Sequence, residues 1–207
     1  NKNLNDHISI DSSLLEFCNN MFAAAGETIY ELLQLWTDKN TLTGGTANRY
    51  KLPLYFEIIQ NASQKIANEP DIVKDRLREL KAYLHYMSLY FDWAGDQRTH
   101  DAKAGKAAAL CLYLATINKM QLVNSYYLVA NITGKYSTGS DFYRQYNYTN
   151  GTAYQNGNLP LITAADIEND FRNDCAQYSN LISQYIFEQA TAIPGRFEAA
   201  GLQALKN

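Results

Sequence analysis

The sequence predicts an all-α fold, an antiparallel bundle or a stack of helical hairpins with about five long helices, and three observations carry that expectation. Within Pro70 to Asp96, the residues Val73, Leu77, Leu80, Leu84, Met87 and Phe91 recur at alternating steps of four and three, which sets them on one stripe of a helix. On the same stretch Tyr83, Tyr86, Tyr90 and Trp93 make a second stripe, while the first turns carry Asp71, Lys74, Asp75, Arg76, Arg78, Glu79 and Lys81. A helix that starts charged and becomes apolar around much of its girth needs neighbours on several sides, so this one is read as central. Lys81 is placed in the wet part, where truncation to Ala is expected to cost little. Finally, the remaining helical stretches carry the same period and are joined mostly by short connections, with no repeat at a fixed spacing that would indicate a solenoid.

Taken in order, Asn1 to Ile10 is polar and reads as a frayed end or a connection from preceding sequence. Ser13 followed by Glu16 matches a capping box, and Leu14, Cys18, Met21, Ala25, Ile29, Leu32 and Trp36 carry a first helix to about Asp38. Gly26 lowers its helix propensity by about 1 kcal/mol relative to Ala, which predicts close approach by another helix. Thr37 to Lys51, with Gly44-Gly45, has no period and reads as a loop. Pro53 suits the first turn of a second helix, whose inward face is Tyr55, Ile58, Ile59, Ala62 and Ile66. Pro70 forces that helix to end by about Asn68, in a tight antiparallel turn into the central helix.

Gly95 ends the central helix, and a fourth is expected from Asp101 to Thr133 along Leu110, Tyr113, Ile117, Met120, Val123, Tyr127 and Ala130, with Gly134 as its C-cap. Lys135 to Leu161 breaks the pattern. It is rich in Tyr, Asn, Gly, Ser and Thr, and Asn150-Gly151 after Tyr146 to Thr149 is compatible with a small β-hairpin. Thr163 with Asp166 then starts a fifth long helix along Ile167, Phe171, Cys175, Tyr178, Ile182 and Tyr185, to about Glu188. Pro194-Gly195 interrupts it, and a short terminal helix is expected at Arg196 to Leu205.

The 207 residues fit a single helical domain, long enough to bury a core without staples. With 46% hydrophobic and 19% charged residues the chain is too apolar to be disordered, and its mean hydropathy of -0.36 with no apolar run near ~20 residues opposes a membrane span. A net charge of -3 without a Lys/Arg cluster opposes nucleic acid as a partner. The absence of an initiating Met makes a fragment of a longer protein the expectation. Cys18, Cys111 and Cys175 lie far apart in apolar helical patterns and are expected to be buried free thiols.

No constellation points to a catalytic site, a metal or a cofactor. His85 reads as a half-buried imidazole. Asp92 and Asp96, one turn apart with His100 nearby, resemble the carboxylate pair of a glycosidase, but such pairs face each other across a cleft from different elements. Helix-end solvation is the simpler reading. The sequons at Asn61, Asn131, Asn147 and Asn150 identify no compartment. The suggestive feature is the aromatic surplus, 16 Tyr, 8 Phe and 2 Trp, six of which fall in the insertion. Trp93, Asp96, His100, Tyr143, Tyr146 and Tyr148 are therefore the candidate ligand-binding residues, against the alternative that the rings anchor the insertion on the bundle.

The segments Phe22-Ala-Ala-Ala-Gly-Glu-Thr-Ile-Tyr30, Leu52-Pro-Leu-Tyr-Phe56 and Arg76-Leu-Arg-Glu-Leu-Lys-Ala-Tyr-Leu84 resemble the helical region that follows the barrel in certain glycoside-hydrolase-like bacterial proteins of unknown function. The resemblance covers the first half of the chain and transfers no active-site residue. It implies a secreted or periplasmic parent, a neighbouring domain of the same polypeptide as partner and polysaccharide as a further contact. The expected role is thus a non-catalytic accessory domain. A free-standing helical interaction or ligand-binding protein is the alternative, and a glycosidase using the acids at the end of the central helix a weaker one.

Overall fold

The computed structural model describes residues 10–37, 51–154 and 161–192 as helix and turn, with no strand among the described residues. The polar start before Ile10, nearly all of the loop at 37–51, Pro194-Gly195 and the expected terminal helix lie outside them.

The first helix is divided into α1 (Ile10–Phe22) and α2 (Gly26–Thr37), which pack on one another. Between them Ala23–Ala25 forms a 3₁₀ turn in which Ala23 takes φ 46°. A Cβ at Gly26 would fall on Asn19. The close approach expected at Gly26 is therefore made by the chain's own preceding helix, and no Cβ can be accommodated at the bend. Because α1 begins at Ile10, Ser13 lies inside its first turn rather than at the N-cap position.

Helix α3 (Leu52–Lys65) has Pro53 in its first turn and buries Tyr55, Ile58, Ile59 and Ala62, as the pattern requires. Pro70 precedes α4 (Asp71–Ala94), whose end is closed by the Gly95 N–H donating to Phe91 O at 2.9 Å. The two stripes of α4 enter two different cores. Val73, Leu77, Leu84 and Phe91 pack with Cys18, Ile29, Leu32, Tyr55, Phe56, Phe171 and Tyr178. Tyr86 and Trp93 pack with Leu110, Cys111, Leu114, Val129 and Ile132, joined by the half-buried Tyr83 and Tyr90.

The expected fourth helix is instead α5 (Ala104–Thr116) and α6 (Ser125–Thr133). A 3₁₀ turn at Asn118–Met120 ends in Gln121 at φ 55°, and Asn124 then caps α6 by accepting from Tyr127 N at 3.0 Å. The two helices no longer share one phase. Tyr127 and Ala130, predicted inward, are exposed, and Val129 and Ile132 are buried in their place. Gly134 does close α6, donating to Ala130 O at 2.9 Å.

The insertion contains α7 (Asp141–Tyr146), capped by Ser140 accepting from Tyr143 N at 3.1 Å. The anticipated hairpin at Asn150-Gly151 does not form. Thr152 and Ala153 donate to Arg144 O and Gln145 O at 3.2 and 3.0 Å, so the segment folds back over the end of α7.

Thr163 and Asp166 cap α8 (Ala164–Ala192) reciprocally: Asp166 N donates to Thr163 Oγ1 at 3.1 Å and Thr163 N to Asp166 Oδ2 at 2.9 Å. Helix α5 runs antiparallel to α4, with the Tyr113 hydroxyl on Ala82 O at 3.0 Å and Lys106 on Asp92 at 3.0 Å. Helix α8 runs in the same direction as α4, since Lys81 meets Glu168, His85 meets Asp174 and Ser88 meets Tyr178.

That docking corrects the reading of Lys81, which is only 6% exposed. Its Nζ donates to both Glu168 oxygens at 2.9 and 2.8 Å and lies 5.0 Å over the Phe171 ring. Cys18 and Cys111 are buried free thiols as expected, whereas Cys175 is only half-buried. Burial pushes the Cys111 thiol up to about 12 and Cys175 to about 11.

Urea denaturation should show Leu84→Ala, at a fully buried position, losing about 2 to 5 kcal/mol. Lys81→Ala should lose about 1 to 2 kcal/mol, near the value of a charge-assisted hydrogen bond because Glu168 keeps access to water. A Lys81→Ala protein as stable as the parent would return that residue to the surface.

Candidate functional site

Of the six candidate residues, those at the end of α4 are engaged within the protein. Trp93 is buried beneath Lys103, whose Nζ lies 5.3 Å from the ring centroid and donates to Trp93 O and Asp96 O at 3.3 and 2.9 Å. Asp96 accepts from Arg98 Nη2 at 2.5 Å and from Arg98 N at 3.0 Å. Lys106 lies 3.1 Å from Asp96 and 3.0 Å from Asp92. The hydrogen bonds from Arg98 hold the Asp96 carboxyl well below the usual carboxylate range. Asp92 and Asp96 thus share one ammonium on their own side of the fold instead of facing each other across a substrate.

Tyr136 joins this helix end to the insertion. Its hydroxyl donates to His100 O at 3.0 Å, its ring meets the exposed His100 edge-on, and it stacks on Phe142 with centroids 3.9 Å apart. Phe142 in turn packs on Tyr146 at 4.9 Å. Tyr146 is therefore an anchor of α7. Tyr148 packs against Tyr154 at 5.7 Å and edge-on to Tyr126 at 5.1 Å.

What stays open is a notch of about 230 Å³ between α6, α7 and the turn after it. Tyr126, Tyr143 and Tyr148 line it with Asn147, Thr133 and Thr149. It contains two of the six candidates and also Tyr126, 56% exposed, which lies outside the insertion to which the aromatic surplus points. Trp93, Asp96 and His100 do not line it.

A larger cleft, about 490 Å³, was not foreseen. It lies between α4, α5 and the start of α8, walled by Leu89, Ala109, Leu112, Leu161 and Ile162 and edged by His85, Tyr113, Asp166 and Asp170. His85 Nδ1 is 2.7 Å from Oδ2 of the buried Asp174, and its Nε2 is 4.0 Å from Asp170 Oδ2. Burial raises the Asp170 carboxyl; His85 opposes the shift, and Asp174 and Asp166 add to it. Asp166, Asp170 and Asp174 recur every four residues, a helical stripe visible in the sequence. What faces it follows only from the direction in which α8 docks.

No family model, curated protein or solved structure matches the chain. Function is accordingly read from its own geometry.

Two of the shifted carboxyls, Asp96 and Asp170, pull stability in opposite directions with pH. Asp96, depressed on folding, contributes stability above its unfolded value and loses it as pH falls through the folded one, so Asp96→Asn should flatten the loss of stability on acidification below about pH 4. Asp170, raised on folding, costs stability when ionised, a cost that disappears as pH falls through its unfolded value. Asp170→Asn should therefore leave stability at pH 7 equal or higher. Melting curves from pH 3 to 7 check both signs, and a destabilised Asp170→Asn protein at pH 7 would contradict the second.

Proposed function

We propose that this chain is a non-catalytic helical accessory domain of a secreted or periplasmic carbohydrate-active protein, and that it touches glycan through the tyrosine notch beside α7. The observation that carries the reading is the notch itself. Three tyrosines with polar tips, Asn147 and Thr149 surround a space suited to about one sugar ring. Flat apolar ring faces cover the C–H face of a sugar, and the amide and hydroxyls can exchange hydrogen bonds with its hydroxyls. The resemblance of the first half to the helical region beside a barrel supports the accessory role and a neighbouring domain of the same polypeptide as partner. Pairing of Asp92 and Asp96 with Lys106 supports the non-catalytic part, because a general acid and its base partner need separate environments to hold different protonation states.

Affinity should be weak, since one ring contributes little contact area. Titration calorimetry with soluble oligosaccharides should show Tyr126→Ala and Tyr143→Ala each weakening binding by about three- to tenfold, as expected for the loss of one stacked ring. Binding indifferent to both substitutions would move glycan off this surface. Turnover of a chromogenic glycoside, lost in Asp92→Asn, would replace the accessory role with a catalytic one.

A further inference from the structure

The cleft beside His85 combines features that a packed helix junction does not require. Its walls are aliphatic, contributed by Leu89, Leu112, Leu161 and Ile162, yet its polar edge carries the carboxylates of Asp166 and Asp170 and, among its lining residues, no lysine or arginine. Asp174, 4% exposed, sits behind His85 and takes its Nδ1 at 2.7 Å. A carboxylate can only accept, so Nδ1 carries the hydrogen. His85 Nε2 lies 4.0 Å from the Asp170 carboxylate, beyond hydrogen-bond distance. Among the described residues no hydrogen bond reaches that carboxylate, which leaves its oxygens open to a donor from the cleft. Tyr113 cannot supply that donor, since its hydroxyl already donates to Ala82 O at 3.0 Å and its ring stands edge-on to His85 at 4.6 Å.

We propose that this cleft is a binding site for a small organic ammonium ion with an apolar body, the ammonium lying against the Asp170 carboxylate at the polar edge, beside His85, and the body against Leu89, Leu112 and Ile162. An ammonium supplies three donors and a positive charge to an edge that carries two carboxylates and no lysine or arginine. The apolar body is set by the walls, and the volume of about 490 Å³ holds a ligand of roughly ten heavy atoms with room for solvent. A metal ion fits less well, because aliphatic walls offer it no ligands. The site is independent of the glycan reading: it lies on other elements and recognises a different chemistry.

The test uses the whole chain and three probes of similar shape, phenethylammonium, 2-phenylethanol and 3-phenylpropionate, followed by calorimetry and by NMR of the His85 ring. Phenethylammonium should bind with Kd on the order of 1 mM or tighter and move the His85 ring signals. The alcohol and the anion should bind at least about tenfold more weakly, since charge-assisted hydrogen bonds contribute roughly that factor or more. Asp170→Asn should weaken the amine by about tenfold while its circular dichroism stays that of the parent. Leu112→Trp, which fills the cleft while both carboxylates are kept, should abolish binding. Equal binding of all three probes would make the cleft a plain apolar pocket. An amine affinity unchanged by Asp170→Asn or Leu112→Trp, or His85 signals that do not move, would overturn the proposal.

Discussion

Burial of α4 on two opposite sides is the constraint on which the rest of the structure depends. One stripe, through Leu77, Leu84 and Phe91, closes the core made with α1, α2, α3 and α8, and the other, through Tyr86 and Trp93, closes the core made with α5, α6 and the insertion. Neither half can lose the helix and keep an inside. A side chain such as Leu84 contributes about 2 to 3 kcal/mol by leaving water. A stretch of α4 that loosened would forfeit such terms in both cores at once. The amphipathic moment familiar from surface helices is correspondingly blurred here, because apolar residues point both ways.

Where α4 has no apolar stripe to offer, it meets α8 through polar pairs in register. Lys81 reaches Glu168, His85 reaches Asp174 and Asp170, and Ser88 reaches Tyr178, all ascending together along the two helices. Reversing α8 would set the Tyr178 end against Lys81 and Glu168 near Ser88, leaving the buried Lys81 ammonium without its carboxylate. Isolated buried charges cost several kcal/mol, so the penalty for misdocking is larger than the gain from any one correct pair. The polar seam acts mainly on orientation, while Phe56, stacked on Tyr178 at 5.2 Å and near Phe171 at 5.6 Å, supplies the adhesion.

What the sequence reveals of this fold is governed by how local the deciding physics is. The stripes of α3 and α4, Pro53, Gly95, Gly134 and the Thr163–Asp166 box are each decided within one or two turns of chain, and each is found where the spacing puts it. The fourth helix failed because Ile117, Met120 and Val123 continue the period of α5 through a turn. The cap that restarts the helix is the single side chain of Asn124, a signal weaker than that apolar run. Gly26 signalled a close approach, but only the left-handed Ala23 says that the chain approaches itself. Lys81 looked solvated among its charged neighbours until α8, 87 residues further on, covered it. Docking direction depends on which long connection crosses where, and no periodicity encodes that.

The same distinction separates the two candidate sites. The excess of tyrosine in the insertion was legible as composition, but composition cannot divide rings that hold the insertion down from rings left to bind. The structure makes that division by partner: Tyr136 and Tyr146 share their faces with Phe142, while Tyr143 and Tyr126, the latter in edge-to-face contact with Tyr148, line the notch. The anchors still matter for binding, since a short helix such as α7 is unstable alone and holds Tyr143 in place only through the stack beneath it. Stiffness of that kind removes ordering entropy from the cost of binding. At the His85 cleft the corresponding stiffness comes from Asp174. A buried carboxylate takes the Nδ1 hydrogen and fixes the plane of the imidazole, so that the edge facing Asp170 keeps one orientation with or without a ligand in the cleft.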